Sequence, residues 1–463
     1  MTIIPPDLLQ ALAANGGGQV ALVIGAGCSI EQPTAIPLAG DLAETGERTL
    51  VLDGLLQPHQ CPNPRDLAEL ATLVFELTGE QAALVRCFPI EQMRLAKPNL
   101  GYKLLVALMA EGAITHVLSL NFDKAVQNAA AELGVQIAVV TEPGDGVPMR
   151  AALVQLHGNA DSVPEAMILR TEVLNEGWIG QWHQLVAQQI LATPAILFAG
   201  LGSAAPVLST TIDMIQNALA GGKQLYQADA APFDTNVFAQ QLSIPADRYI
   251  HGTWGVVVSK LAERIAAAQV DALRANGAAL LAENGVEAAD RDKFVALTER
   301  LRNQALLVLG KFRAHAVLDR AALYRPHSLH TDELLAEPLL RLAQLSEHFG
   351  WTALPAPGGT WTLNADGRVI GHLVLASGGG VRRLSALEPS ARAVCERINE
   401  NAVIPADFVL VGAPAAEAPP LAHVDLIADE DPADIIGGPS EALIISANDP
   451  DYLDRIGRLL HAA

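Results

Sequence analysis

Short, strand-length segments rich in apolar residues, several of them ending at glycine or at a small polar cluster, recur through the first half of the chain. They lie at residues 19–24 (QVALVI), 114–120 (ITHVLSL), 136–141, 153–156 (LVQL), 195–199 (AILFA) and 223–228. Runs that are continuous, rather than alternating with polar residues, mark strands buried on both faces. Helical periodicity fills the intervals: residues 38–110, broken at Pro58, Pro62, Pro64 and Pro98, then 123–133 and 178–192, with a short helix ahead of the first strand. Strands alternating with helices, with glycine turns after the strands, predict an α/β fold built on a doubly wound parallel sheet, with a helical insertion at about 38–110.

The texture changes at residue 259. Residues 259–283, 288–316 and 331–348 carry helical spacing and predict a helical linker or bundle. Beyond them, Thr360–Leu363 and Arg368–Ala376 flank the turn Asn364-Ala365-Asp366-Gly367 and predict a hairpin. A helix at 390–401 and strands at 408–412 and 442–446 complete a small C-terminal α/β or α+β domain, with 413–420 as a Pro- and Ala-rich loop. The expected domains are thus 1–265, 266–350 and 351–463, in line with a 463-residue chain too long for one core.

Charge and composition narrow the functional classes. A formal net charge of −21 repels a phosphate backbone, and an aromatic content of 4% offers few stacking platforms, so direct nucleic-acid binding is not expected. No apolar run reaches the roughly 18 residues that span a bilayer, and the opening MTIIPPDLLQ lacks a secretory pattern, so a cytoplasmic protein off the membrane is expected. Cys28, Cys61, Cys87 and Cys395 are scattered and form no CxxC pair, which predicts free thiols and no zinc ribbon.

The polar residues that carry chemistry collect at the predicted strand ends. Gly25-Ala26-Gly27-Cys28-Ser29 follows the first strand, Asn121-Phe122-Asp123 the second, His157-Gly158 the fourth and Gly200-Leu201-Gly202-Ser203 the fifth. In a doubly wound sheet, ligands bind beyond the carboxyl ends of the strands. Glycines there let a backbone approach a pyrophosphate, which a following helix N-terminus attracts. Taken alone, a GxG after a strand is also an ordinary tight turn. Ser29 suits a phosphate donor or a helix cap, and Asp123 equally suits a helix cap. His157 offers an imidazole able to move a proton near neutrality, or a structural contact.

The order GAGCS, LNFD, LHG and GLGS is similar to SIR2-like (sirtuin-related) domains, over roughly the first 265 residues. The resemblance implies a SIR2/Rossmann-like fold with NAD at the crevice. It implies that Gly25, Ala26, Gly27 and Ser29 hold the phosphates, that Asn121 holds the nicotinamide ribose, and that Asp123 helps hold the carboxamide. It further implies His157 as general base, with Gly200, Gly202 and Ser203 framing the adenosine half. The stretch Gly252-Thr253-Trp254 also looks like the end of such domains in bacterial defence proteins.

Two departures refine the expectation. Protein-deacylating members of the family carry two CxxC pairs and a Phe-Arg pair soon after the glycine turn. This chain has no CxxC pair, and PTAIPLAGD stands at 33–41. The fourth motif also lacks the usual Asp, with Ala204-Ala205-Pro206 in its place. The zinc-free pattern is similar to SIR2-like NADases of bacterial anti-phage systems. That resemblance implies NAD+ consumed as substrate, a homo-oligomer, and gating by a partner such as a HerA-like ATPase or a short Argonaute. The alternatives are an NAD-dependent deacylase or ADP-ribosyltransferase, and a non-catalytic NAD or ADP-ribose sensor.

Three further features have plainer readings beside functional ones. The acidic group Asp425, Asp429, Glu430, Asp431 and Asp434 suits a solvated loop or a cation. Ser377-Gly378-Gly379-Gly380 with Arg382 and Arg383 suits a hairpin end or a phosphate cradle. Trp178 and Trp182, four apart, suit a core or an oligomer interface.

Overall fold

The computed structural model describes residues 2–12, 19–142, 145, 151–170, 181–202, 208, 210–213, 224–377, 384–401, 406–412, 443–447, 449 and 451–461. Ser203, Trp178, the acidic group at 425–434, the glycine and arginine residues at 378–383 and the loop at 413–420 lie outside these residues. The chain forms two compact units, Met1–Ala262 and Glu263–Ala463, and the boundary falls inside one long helix, Trp254–Glu283.

The first unit is a seven-stranded sheet in the order β3-β4-β2-β1-β5-β6-β7. Its strands are β1 (Val20–Ile24), β2 (Ile114–Ser119), β3 (Ala138–Val140), β4 (Ala152–Val154), β5 (Ala195–Ala199), β6 (Gln224–Asp229) and β7 (Tyr249–His251). Every pairing is parallel. All residues of β1, β2 and β5 are buried; β1 and β5 are accordingly unbroken apolar runs, whereas β2 also buries Thr115, His116 and Ser119. From β1 the chain winds to β2, β3 and β4 on one side and to β5, β6 and β7 on the other, so β1 and β5 flank the point where the winding reverses. The doubly wound parallel α/β sheet is therefore the observed architecture.

The insertion between β1 and β2 is helical. It comprises α2 (Ala39–Leu52), α3 (Leu67–Thr78), α4 (Ala82–Val85), α5 (Ile90–Arg94) and α6 (Leu100–Ala110), and α1 (Pro6–Leu12) precedes β1. Asp66 caps α3 by accepting from the Ala68 and Glu69 amides, and Gly79 ends it with φ of 77°. Helix α7 (Ala125–Leu133) follows β2, α8 (Gln181–Leu191) precedes β5, and α9 (Val237–Gln241) separates β6 from β7. Phe198 and Phe238 meet at 5.0 Å between ring centroids inside the core beside β5.

The glycine turns after β1 and β5 are packed backbone against backbone. The Gly25 amide donates to the Ala199 carbonyl and the Gly27 amide to the Gly200 carbonyl, both at 2.9 Å. A Cβ on Gly25 would stand 2.6 Å from the Gly200 oxygen, and one on Gly27 2.7 Å from the Gly200 Cα. Gly200 has φ of +65°, and a Cβ there would stand 2.5 Å from the Cys28 nitrogen. By contrast, nothing lies within 4 Å of a Cβ on Gly202.

The second unit begins on α10 (Trp254–Glu283) and continues through α11 (Ala288–Glu299), α12 (Leu306–Ala316) and α13 (Leu329–Phe349). Its five-stranded sheet has the order β12-β11-β10-β9-β8. The strands are β8 (Thr352–Ala356), β9 (Thr360–Ala365), β10 (Arg368–Ser377), β11 (Phe408–Gly412) and β12 (Leu443–Ser446), with α14 (Leu384–Asn401) joining β10 to β11. The pairs β8–β9 and β9–β10 are antiparallel, and β10–β11 and β11–β12 are parallel. The β9–β10 hairpin turns on Asp366 (φ 49°) and Gly367 (φ 76°), two left-handed residues that match the strand twist. Helix α15 (Tyr452–His461) ends the chain.

Three expectations are corrected. The helical stretch expected at 288–316 breaks at residues 300–305 into α11 and α12, because the two halves pack on different elements, α11 on α13 and α12 on β10. The first helix of this region starts at Trp254, not at residue 259. Strands β7 and β8 and helix α15 are additional. Among the described residues, no helix is long and apolar enough to cross a membrane.

The contact between the two turns makes a stability prediction. Gly200→Ala adds a Cβ at positive φ against backbone that cannot move aside, and is expected to destabilise the first unit by about 2–4 kcal/mol. Denaturant unfolding followed by circular dichroism measures this. Gly202→Ala, in open space, is the control and should change stability by less than about 0.5 kcal/mol.

Candidate functional site

The four motifs stand at the carboxyl ends of four neighbouring strands, β4, β2, β1 and β5. The turn after β1 is a single 3-10 turn, Ala26–Cys28, which brings Ser29 back under the sheet edge fully buried. There the Ser29 side chain binds neither a helix amide nor open solvent. Its Oγ donates to Asp123 Oδ2 at 2.7 Å and lies 2.7 Å from the Tyr102 hydroxyl.

Asp123 and Asn121 belong to the loop after β2. Asp123 Oδ1 accepts from the Ala125 amide at 3.0 Å, the first backbone N–H of α7, although the helix's cap residue is Lys124. The same carboxylate therefore serves the helix and the buried serine. Burial raises its pKa, and the hydrogen bonds from Ser29 and the Ala125 amide offset part of that rise. Asn121 Nδ2 donates to the Gly25 carbonyl at 3.1 Å and lies 3.2 Å from both Ser29 Oγ and the Tyr102 oxygen. The bond to a carbonyl fixes which end of the amide is nitrogen.

These contacts assign the protons. Asp123 as carboxylate only accepts, so the Ser29 hydrogen points at it. The Tyr102 hydrogen must then point at Ser29 Oγ, leaving the phenol oxygen to accept from Asn121. Burial first, and the Asp123 charge second, push the Tyr102 phenol well above its ordinary range, so it stays protonated. Cys28 is likewise held as a neutral thiol, chiefly by burial. One group at the end of this chain is unsatisfied: Asn121 Oδ1 is buried and has no hydrogen-bond donor among the described residues. An unmet buried acceptor costs about 1–3 kcal/mol, and native structures tolerate one where a ligand or water completes it.

His157 lies beyond β4, in the segment that Gly158 turns with φ of +80°. The segment is tied to the Asn121 loop. The Ala160 amide donates to the Phe122 carbonyl at 2.7 Å, and Asp161 pairs with Lys124 and with Arg94, the latter at 2.9 Å. Gln155 braces the same joint, with Nε2 at 3.4 Å from the Asn121 and Asp123 carbonyls and Oε1 accepting from Gln127 at 2.6 Å. From the insertion, Gln81 Nε2 donates to the Met167 carbonyl at 2.7 Å. Burial, with the nearby His183 as second cause, lowers the His157 pKa to about 4, so its imidazole is neutral at physiological pH. His183, on α8, is itself pushed down by burial.

The structure thus joins Ser29, Asn121 and Asp123 in one hydrogen-bonded group against the Gly25 carbonyl. It places His157 on the neighbouring strand end and packs Gly25 and Gly27 against Gly200. Ala26 opens the 3-10 turn and Gly202 is exposed. Sequence reasoning missed Tyr102, Gln155 and His183. Tyr102 sits among the apolar residues of α6, where a tyrosine reads as core. Gln155, a fully buried amide between Val154 and Leu156, interrupts an apolar run and was the more visible of the three. The free cysteines lie apart, three of them buried.

No family model and no curated protein matches this chain. Among solved structures it is similar to a Sir2 enzyme studied for mechanism and regulation, at 17% identity and a TM-score of 0.34, over 56% of this chain and 95% of that one. It is also similar to a Sir2 homologue in complex with NAD, at 17% identity and a TM-score of 0.30, over 55% and 91%. A third is Sir2 bound to acetylated peptide, at 16% identity and a TM-score of 0.32, over 56% and 98%.

The buried neutral histidine predicts acid sensitivity. With a folded-state pKa near 4 against an ordinary 6.5, His157 takes up a proton more readily in the unfolded chain, so stability falls as pH drops from 6.5 towards 4. Over that window the wild-type protein is expected to lose up to about 3 kcal/mol more than His157→Gln. Unfolding free energies measured at both ends of the window decide this, and equal losses in the two proteins would count against a buried neutral imidazole.

Proposed function

We propose that the first unit is an NAD+ glycohydrolase, cleaving NAD+ to nicotinamide and ADP-ribose. The observation that carries the reading is Asn121, whose nitrogen is committed to the Gly25 carbonyl and whose buried oxygen is vacant. It stands at the end of β2, beside the turns where a doubly wound sheet takes a dinucleotide. A vacant amide oxygen suits a donor such as a ribose hydroxyl or a water. The motif order that resembles SIR2-like domains supports the same ligand, with Gly25, Ala26, Gly27 and Ser29 towards the phosphates and Gly200, Gly202 and Ser203 towards the adenosine.

In the proposed reaction the bond between ribose C1′ and the pyridinium nitrogen breaks, and its electron pair leaves with neutral nicotinamide. A water oxygen bonds to C1′, and its proton passes to His157, whose neutral imidazole is the form able to accept it. Asn121 orients the ribose or the water. Asp123 holds Ser29 and the start of α7, and so fixes the loop that carries Asn121; the resemblance also gives it the carboxamide. The absence of CxxC pairs and of a Phe-Arg pair after the glycine turn favours water over an acyl-lysine peptide as acceptor.

A cell does not tolerate a free-running NADase. We therefore take the chain to be weak or self-inhibited until a partner or an assembly activates it, in the manner of anti-phage effectors. Residues 263–463 would be the oligomerisation or docking module, for which a HerA-like ATPase or a short Argonaute is the expected class of partner.

The test is to incubate the full chain with NAD+, alone and after co-expression with the products of its neighbouring genes, and to quantify nicotinamide and ADP-ribose. Asn121→Ala and His157→Ala should each lower the rate by roughly 10²–10⁴. Full activity in both would overturn the mechanism. Transfer of an acyl group from an acetyl-lysine peptide would reassign the chain to deacylation, and tight NAD+ binding without turnover under every condition would make it a sensor.

A further inference from the structure

We infer that Tyr102 is a positioning residue of this site, holding the Asn121 amide so that its free oxygen faces the ligand; the inference rests on the NAD reading above. Tyr102 is completely buried, and its hydroxyl reaches the side chains of two motif residues, Ser29 and Asn121, from the helical insertion. The phenol oxygen lies 2.7 Å from Ser29 Oγ and 3.2 Å from Asn121 Nδ2. With Ser29 donating to Asp123, the phenol donates to Ser29 and accepts from Asn121. One amide hydrogen of Asn121 is thereby held by the Gly25 carbonyl and the other points between the Tyr102 and Ser29 oxygens, which keeps the carboxamide nitrogen turned inward.

Tyr102 is itself anchored from three sides. Asn99 caps α6 by accepting from the Tyr102 amide at 3.1 Å, and its own Nδ2 donates to the Cys28 carbonyl at 2.9 Å. This residue ties the first turn of α6 directly to the glycine motif. Thr34 Oγ1 accepts from the Asn99 amide at 2.9 Å and donates to the Lys97 carbonyl at 2.8 Å. On the far side the Trp254 indole packs on the Tyr102 ring, 5.8 Å between centroids and tilted by 59°. The indole leaves no room for a side chain before it, since a Cβ on Gly101 would stand 2.2 Å from Trp254 Nε1. Glu31, just after the motif, holds the start of α10 through the Gly255 amide, at 3.1 Å to each carboxylate oxygen.

A buried tyrosine kept for packing would also bond its hydroxyl, so the hydrogen bonds alone do not separate packing from positioning. A positioning role makes the hydroxyl and the Asn121 amide act as one unit, and a double-mutant cycle reads that directly. The four proteins are wild type, Tyr102→Phe, Asn121→Ala and the double variant, each checked for folding by circular dichroism. Two quantities are measured for each: kcat and KM for nicotinamide release from NAD+, and Kd for ADP-ribose by calorimetry. Tyr102→Phe is expected to lower kcat roughly tenfold to a hundredfold with KM within about twofold, and to add nothing further in the Asn121→Ala background.

Wild-type kcat in Tyr102→Phe overturns the inference, and so does a double variant whose loss is the product of the two single losses. Should Tyr102→Phe fail to fold, Asn99→Ala loosens the same helix turn without touching the phenol and must lower kcat in its place; full activity there overturns the inference. If the wild type binds ADP-ribose but releases no nicotinamide, the hydrolase reading fails, and the cycle is decided on Kd by the same two criteria. A wild type that neither binds ADP-ribose nor cleaves NAD+ overturns both.

Discussion

Burying the Asp123 carboxylate sets the direction of every hydrogen bond around it. A carboxylate taken out of water costs several kcal/mol, and each bond to a charged acceptor returns about 1.5–3. Ser29 and the Ala125 amide supply two such bonds, and the carboxyl pKa still ends above its ordinary value, so the offset is incomplete. Because Asp123 receives the Ser29 hydrogen, Ser29 receives that of Tyr102, and the Asn121 amide donates towards the Tyr102 and Ser29 oxygens. Donors are consumed one after another until the acceptor Asn121 Oδ1 is left over. The Gly25 carbonyl fixes which end of the amide turns inward, and the relay from the carboxylate agrees with it in leaving that oxygen as the open acceptor.

The glycines carry a different lesson. A GxG after a strand reads as a cradle for phosphate because an absent Cβ lets a backbone come close. Here the backbone that comes close is that of the other turn: Gly25 and Gly27 meet Gly200, and the Gly27 amide is spent on the Gly200 carbonyl. Ligand approach and turn packing both demand the missing side chain, so the sequence cannot separate them. Only Gly202, whose missing side chain opposes nothing within 4 Å, is left without a packing reason. The motif locates the crevice because both requirements operate at the same strand ends.

The sheet of the first unit was legible because its strands are buried on both faces. β1 and β5 are wholly apolar and run into glycine, while β2 buries Thr115, His116 and Ser119 among apolar residues ahead of Asn121. Where an element is short or lies at an edge, that signal vanishes: β7 has three residues and β8 contains a proline. The break between α11 and α12 has no glycine or proline to announce it, since it follows from which neighbour each half packs on. Helix α15 was a different kind of omission. Tyr452, Ile456 and Leu460 are buried at a spacing of four, a pattern present in the sequence but compressed into ten residues.

The same contrast divides the site. Asn121, Asp123 and His157 stand out because each is a polar residue closing an apolar strand, where a buried polar group needs a reason. Tyr102 is hidden because an aromatic on an apolar helix already has a reason, namely the core. Its hydroxyl becomes informative only when the hydrogen atoms around Ser29 are followed to their acceptors. The Asn99 bridge ties helix α6 to Cys28, a contact 71 residues apart in the chain that no local pattern encodes. The strand ends bring the chemical groups into one crevice, and a helix from the insertion decides which way one of them faces. Only the first of these leaves a mark in the periodicity of the sequence, and the second follows from closing the hydrogen-bond ledger of a buried carboxylate.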